Sequence, residues 1–228
     1  MSANLWDMVE DPHEGGGRLR ADAVRNRRTI IATAHRVYGQ RGLEAPLDDI
    51  AREAGVGNAT VYRHFPSRCA LVAAVFADTL RRVVEVAEQA LQHPDPWEGF
   101  VAHVRFLCRL QAEDRGMADL LTTQVTAAPE LEDVRERAYV LFVQLADRAK
   151  AAGVLRGDFT PEDVVLLLMA NAGLVHRTAD DAPTAWRRFA DIQLDGLRAS
   201  AATSSTPGPA APDVEAAMRR RGRDLGYC

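Results

Sequence analysis

The stretch LDDIAREAGVGNATVYRHFPSRCAL, residues 47–71, decides how this chain folds. Leu47, Ile50, Ala51 and Ala54 stand at i, i+3, i+4 and i+7, the apolar stripe of a short amphipathic helix. Gly55 follows where a left-handed residue closes such a helix, a conformation glycine adopts with no Cβ penalty. Val56 fills the turn. A second short helix is expected over Asn58–His64, with Val61 and Phe65 turned back onto the first and Asn58, Ala59, Tyr62 and Arg63 turned outward. Helix, glycine turn, helix is the helix-turn-helix layout, whose second helix enters the major groove of duplex DNA.

The charge distribution agrees with that layout. The 228 residues carry a formal net charge of −4, which alone looks wrong for a DNA binder. Residues 1–17 hold four acids and no Lys or Arg, whereas residues 18–70 hold ten Arg against five acids. Residues 71–228 hold 18 basic against 23 acidic side chains. The positive excess therefore coincides with the helix-turn-helix segment, where phosphate contact would use it. The length suits one or two domains of about 100–200 residues. Hydrophobic residues at 47% and charged residues at 26% describe an ordinary globular chain. Cys69, Cys108 and Cys228 are few and far apart, giving neither a disulfide framework nor metal-ligand spacing, so a cytoplasmic location is expected. The acidic start MSANLWDMVEDPHEGGG lacks the apolar core of a signal peptide. The longest apolar run, Val164–Val175, is broken by Asn171 and is too short to cross a bilayer, so no membrane partner is expected.

From the N-terminus, residues 1–20 read as a flexible arm, because Gly15-Gly16-Gly17 interrupts any helix. A phosphate-cradling loop is not supported, since no strand precedes these glycines and no lysine follows. A first helix over about Ala21–Gln40 carries Val24, Ile31, Ala34 and Tyr38 on one stripe, widened by Ile30 and Val37, with Arg25, Arg27 and Arg28 near its start. Pro46 opens the second helix, and Asp48 and Asp49 suit its positive end. Pro66 closes the third, and Ser67 caps a fourth that runs to Leu91. Beyond the break at Gln92-His93-Pro94-Asp95-Pro96, helices are expected over Trp97–Glu113, Met117–Thr123, Pro129–Ala152, Pro161–Arg177 and Thr184–Ala199. The sum is an all-α fold of roughly nine helices. Residues 21–66 form the DNA-binding domain (motif about 46–65) and residues 67–199 a larger helical domain. The eighth helix is apolar nearly all round, so it needs a further helix or a second subunit over its outer side. Residues 200–228, opening SAATSSTPGPAAP, read as a disordered tail whose run Arg219–Arg223 is either solvated or adds phosphate affinity.

Residues 21–91 resemble the N-terminal domain of the TetR family of bacterial transcriptional regulators. The residues that carry the resemblance are Ile31, Ala34, Tyr38, Gly42, Ile50, Ala51, Ala54-Gly55-Val56, Thr60-Val61-Tyr62, Phe65-Pro66-Ser67 and Leu71. Two positions depart from the family's habit. Pro46 stands where a capping Thr is common, and Cys69 where an acid usually completes the helix-four capping box. The string RxDxTPEDVxLLL from Arg156, followed by WRRF and DGLR, is similar to one C-terminal subgroup of that family. The resemblance implies a repressor that binds a palindromic operator as a homodimer through helices eight and nine. It also implies release by a small-molecule effector held in the larger domain, between helices four and eight.

Residue chemistry supplies candidates for both acts. Asn58 can pair bidentately with adenine, while Ala59 and the Thr60 methyl can meet a thymine methyl. Tyr62, His64 and Arg68 are candidates for phosphate, and Arg25, Arg28, Leu47 and Arg63 complete the expected DNA-binding set. For the effector, polar groups inside apolar stretches are the clues. His103 lies among Phe100 and Leu107, Gln124 follows Leu121, and Asn171 interrupts the apolar run of the eighth helix. Phe76 and Phe142 join them as apolar candidates, with Met169 and His176 beyond. Each also reads as a core, surface or interfacial residue. An effector-blind architectural DNA binder stays open as an alternative. Catalysis is disfavoured, because no nucleophile–base–acid set is visible, and no cofactor or metal is expected.

Overall fold

The computed structural model describes residues 14–124, 129–203 and 206–224. Among them are ten α-helices, one short 3-10 turn and a single isolated β-bridge, Leu155 to Arg198. The helices are α1 (Glu14–Arg41), α2 (Leu47–Ala54), α3 (Asn58–His64), α4 (Arg68–Leu91), α5 (Pro96–Glu113), α6 (Arg115–Leu121), α7 (Pro129–Ala151), α8 (Pro161–Thr178), α9 (Ala185–Gly196) and α10 (Ala211–Asp224). The fold is all-α, and α2 to α9 begin and end within three residues of the expected bounds.

Local chemistry sets most of those bounds. Gly55 closes α2 at φ +68°, and the backbone N–H of Val56 returns to the Ala51 carbonyl at 3.0 Å. The Ser67 hydroxyl accepts from the Ala70 N–H at 3.1 Å and starts α4. Asp95 caps α5 through the N–H groups of Trp97 and Glu98 at 2.8 and 3.2 Å, and Asp114 caps α6 through that of Met117 at 2.9 Å. Pro46 makes no side-chain cap, as its ring requires.

Two apolar cores divide the molecule, and α4 belongs to both. The first gathers Ile30, Ala34, Val37, Tyr38, Ile50, Val61, Phe65, Leu71 and Phe76 from α1 to α4. It is completed by Met117 and Leu120 of α6 and Leu131 of α7. The second begins at Val83 and gathers Trp97, Phe100, Leu107, Leu141, Phe142, Phe159, Val164 and Leu194. The first half of α4 thus packs with α1 to α3, which form the head around the first core, and not with the body around the second. Val24, expected inside, is 53% exposed; the buried stripe of α1 starts only at Ile30.

Both ends of the chain depart from expectation. The backbone of α1 is helical from Glu14, through the three glycines expected to break it. Glycine in a helix costs about 1 kcal/mol relative to alanine, so a short run weakens a helix without forbidding it. The rest of the expected arm, residues 1–13, lies outside the described residues. The tail expected to be disordered contains α10. Asp213 sits in its first turn, Arg221 and Arg223 in its last, and Val214 is buried. Gly208 lies beside Thr160 at the start of α8, while Arg221 shares a cleft with Ala172 and His176 near its end. Hence α10 runs alongside α8 in the same direction, and one part of its apolar outer side is covered by a further helix.

Candidate functional site

Helix α3 is a seven-residue helix with one face fully committed to the core. Val61 and Phe65 are 1% and 2% exposed. Asn58, Ala59, Tyr62 and Arg63 are exposed together on the other side, with Thr60 at its margin. Tyr62 is 52% exposed, although a tyrosine this large could bury most of its ring in a core. The Asn58 amide donates to Asp48 Oδ1 at 2.7 Å, which ties the start of α3 to the start of α2. Leu47 is half-buried on the head core. His64 is half-buried, with its ring 6.4 Å from that of Phe65.

The arginines around α3 sort into committed and uncommitted charges. Arg36 and Arg41 reach Glu53 at 2.7 and 2.9 Å, and Arg41 also reaches Asp49 at 3.2 Å. These contacts, led by the Arg36 hydrogen bond, hold the Glu53 carboxyl below its ordinary range. They also neutralise Asp49 and Glu53 of α2. Arg25 pairs with Asp22 at 2.9 Å, and Arg27 lies 5.1 Å over the Phe65 ring. Arg28 and Arg63 are exposed and pair with no carboxylate among the described residues. Arg68 was expected at a phosphate. Instead its guanidinium donates to the carbonyls of Leu43 and of Ala45, the latter at 2.6 Å. It clamps the α1–α2 turn, because those carbonyls lack helical partners there.

The body collects some of the expected effector residues and disperses others. Phe100, His103, Leu107 and Phe142 come together between α5 and α7, with Phe159 as a neighbour the sequence reading missed. Ring centroids lie 6.0 Å apart for Phe100 and Phe142, and 6.1 Å for His103 and Phe142. His103 is 1% exposed, and its Nδ1 has no hydrogen-bond partner among the described residues. Burial pushes the His103 pKa down to about 4 and the Cys108 thiol up to about 12, so both side chains are neutral near pH 7. Asn171 is fully buried at the α5–α8 seam. Its amide donates to Gln111 Oε1 at 2.9 Å and to the Cys108 carbonyl at 3.3 Å, and Gln111 donates to the Leu168 carbonyl at 3.1 Å. Gln111 was also missed, since one glutamine on a helix carries no local sign of burial.

Three expected residues lie elsewhere. Phe76 belongs to the head core, its ring 6.3 Å from Tyr38. Leu121 bridges the two cores. Gln124 lies under α10: its N–H donates to the Met218 carbonyl at 3.2 Å, and Arg219 reaches its Oε1 at 3.4 Å. Gly222 sits so close that a Cβ there would fall 2.4 Å from the Gln124 carbonyl oxygen.

Head and body meet through α6. Asp119 Oδ2 accepts the N–H of Leu43 in the α1–α2 turn at 2.8 Å. Arg115 donates to the Gln40 carbonyl at 3.3 Å and to His176 Nδ1 at 2.8 Å, linking α1 to α8. Among the described residues no cluster of His, Cys, Asp and Glu is placed to hold a metal ion, and no helix is long and apolar enough to cross a membrane.

Comparison with known proteins places these features. Residues 30–75 match the model for bacterial regulatory proteins of the TetR family, and residues 95–199 match that for the C-terminal domain of SbtR-like transcriptional regulators. A curated helix-turn-helix transcriptional regulator from Staphylococcus aureus is 39% identical over 51 residues, 22% of this chain and 28% of that relative's length. The solved TetR regulator of Streptomyces coelicolor is 35% identical, with 75% of this chain and 98% of that chain covered, at a TM-score of 0.48. FadR from Bacillus subtilis, solved with stearoyl-CoA, shares the fold at a TM-score of 0.56 and 14% identity, covering 77% and 99% of the two chains. With family models matched over both domains, together about two thirds of the chain, this chain belongs to the TetR family of DNA-binding helix-turn-helix transcriptional regulators, a class without enzymatic activity.

Proposed function

We propose that the protein is a repressor that binds a near-palindromic operator as a homodimer and leaves it when a small molecule enters the body. The observation that carries this reading is the α3 face. Asn58, Ala59 and Tyr62 stand exposed beside Arg28 and Arg63, with Thr60 at the margin, and the core closes without them. Thr60 and Ala59 offer methyl contacts, Tyr62, Arg63 and Arg28 reach phosphate, and Asn58 reads adenine after leaving Asp48. His64 and Arg25 stand beside this set.

The dimer reading is supported by α8 and α9. Leu166 and Ile192 are 43% and 49% exposed. Along α8, Leu166, Ala170, Gly173 and Arg177 form one exposed row at helical spacing. Small residues in that row let a second α8 approach closely. The effector reading is supported by the buried, unpaired Nδ1 of His103 beside Phe100 and Phe142, an apolar site with one donor or acceptor to offer. Phe100, Leu107, Phe142 and Asn171 are the contacts proposed with it, and α6 carries the change to the α1–α2 turn through Asp119.

Footprinting on the DNA upstream of its own reading frame tests the whole. The expected result is two-fold symmetric protection with half-site centres about 34–36 Å apart or a multiple of that. Ile192→Asp should give monomers by sedimentation and lose the footprint. Asymmetric protection, or a footprint kept by a monomeric variant, overturns the dimer reading.

A further inference from the structure

We propose that the cleft between head and body binds a small organic anion, a carboxylate or phosphate monoester with a short apolar body. The cleft has a volume of about 310 Å³. Its nitrogen donors come from four elements: Arg41 of α1, Arg115 of α6, His176 of α8 and Arg221 of α10. Its acids are Glu44 and Asp119.

With Arg41 set aside, the two remaining guanidiniums and the two acids balance in number but not in geometry. Arg41 is engaged with Asp49 and Glu53, away from the count. Arg115 donates only to neutral acceptors, the Gln40 carbonyl and His176 Nδ1, and has no carboxylate within 4.0 Å among the described residues. Among the described residues, Arg221 approaches only one carboxylate oxygen, Asp119 Oδ1, at 3.9 Å, beyond hydrogen-bond length. The other oxygen of Asp119 is already committed to the Leu43 N–H. Two guanidinium forks therefore line one cleft without the planar oxyanion that suits them. Because His176 Nδ1 accepts from Arg115, its ring carries the proton on Nε2, which adds a third donor. Ala118, Ala172 and Val175 give the same cleft a small apolar wall. Its volume is at the low end of the range for ligand cavities, about 300–1,000 Å³.

The site takes one wall from α10, which lies beyond the segments matched by either family model. An anion joining Arg115 to Arg221 fastens α10 to α6, and α6 holds the α1–α2 turn of the reading head. That consequence rests on the DNA-binding reading above, whereas binding itself does not.

Calorimetric titration of the full chain without DNA, at constant ionic strength in chloride, separates the two. The probes are phenyl phosphate, benzoate and inorganic phosphate. Phenyl phosphate should bind once per chain, and Arg115→Gln and Arg221→Gln should each weaken it about tenfold or more. Arg221, on an exposed helix end, is the variant that decides if Arg115→Gln lowers the melting temperature. No heat with any probe at millimolar concentration overturns the site. Equal heat in Arg221→Gln overturns it too, as an adventitious ion only. Loss of operator affinity by either variant in probe-free buffer identifies the cleft as a DNA contact instead. Binding that leaves operator affinity unchanged overturns the coupling to the head alone.

Discussion

Head and body are built from the same kind of helices but point their polar groups in opposite directions. On α3, Asn58, Tyr62 and Arg63 face outward and the core closes without them. In the body, His103, Gln111, Thr123 and Asn171 are all buried. A polar group that faces outward is free to serve a partner. A buried one also holds the fold, because its loss leaves another group unsatisfied. Binding and stability are therefore separable in the head and entangled in the body.

Four measurements break or sharpen that contrast. The largest effect belongs to the aromatic cluster of the body. Phe100→Ala removes a fully buried ring in contact with Trp97, Phe142 and Phe159, and should cost about 3–5 kcal/mol of unfolding free energy by urea denaturation. A cost below about 1 kcal/mol would mean that this space is already open.

In the head, Asn58→Ala combined with Tyr62→Ala should lose about 3 kcal/mol of operator binding, more than a hundredfold in anisotropy titrations. Stability should stay within about 0.5 kcal/mol. A fall in both together would break the separation.

His103 supplies a pH signature. Its folded pKa of about 4 lies below the unfolded value near 6.5, so the unfolded chain binds the proton more readily. The stability from the neutral ring is fully present above about pH 6.5 and declines as pH falls toward 4. Between pH 7 and 4.5 the loss from this group should be about 2–3 kcal/mol, and His103→Leu should flatten that part of the curve. An unchanged slope would remove His103 as its source. The smallest effect is at the α4 cap, where Ser67→Ala should cost about 1 kcal/mol in thermal unfolding and leave the face of α3 intact.

Much of this molecule was legible from short-range pattern. Gly55, Ser67, Pro96, Pro129 and Pro161 mark helix ends through bonds that span only a few residues, and the outward face of α3 follows from two inward positions. The contacts that the sequence did not announce are non-local. Nothing near Arg68 in sequence shows the carbonyls of Leu43 and Ala45 arriving beside it. Phe76 looked like a body residue because α4 is continuous, whereas the boundary between the two cores falls inside that helix. Helix α10 was hidden by the Ser-, Pro- and Ala-rich segment before it, although Asp213 early, Arg221 late and Val214 with Met218 four residues on are its own signature.

The sequence by itself determined where α2 to α8 start and stop, and which face of α3 is left over. These depend on i to i+4 geometry and on the dihedral preferences of Gly and Pro. Only the tertiary structure decided which arginines are spent, which polar groups are buried together and what covers α8. Those outcomes depend on contacts between residues far apart in sequence, such as Leu43 with Asp119 and Gln124 with Met218, whose geometry no local pattern encodes.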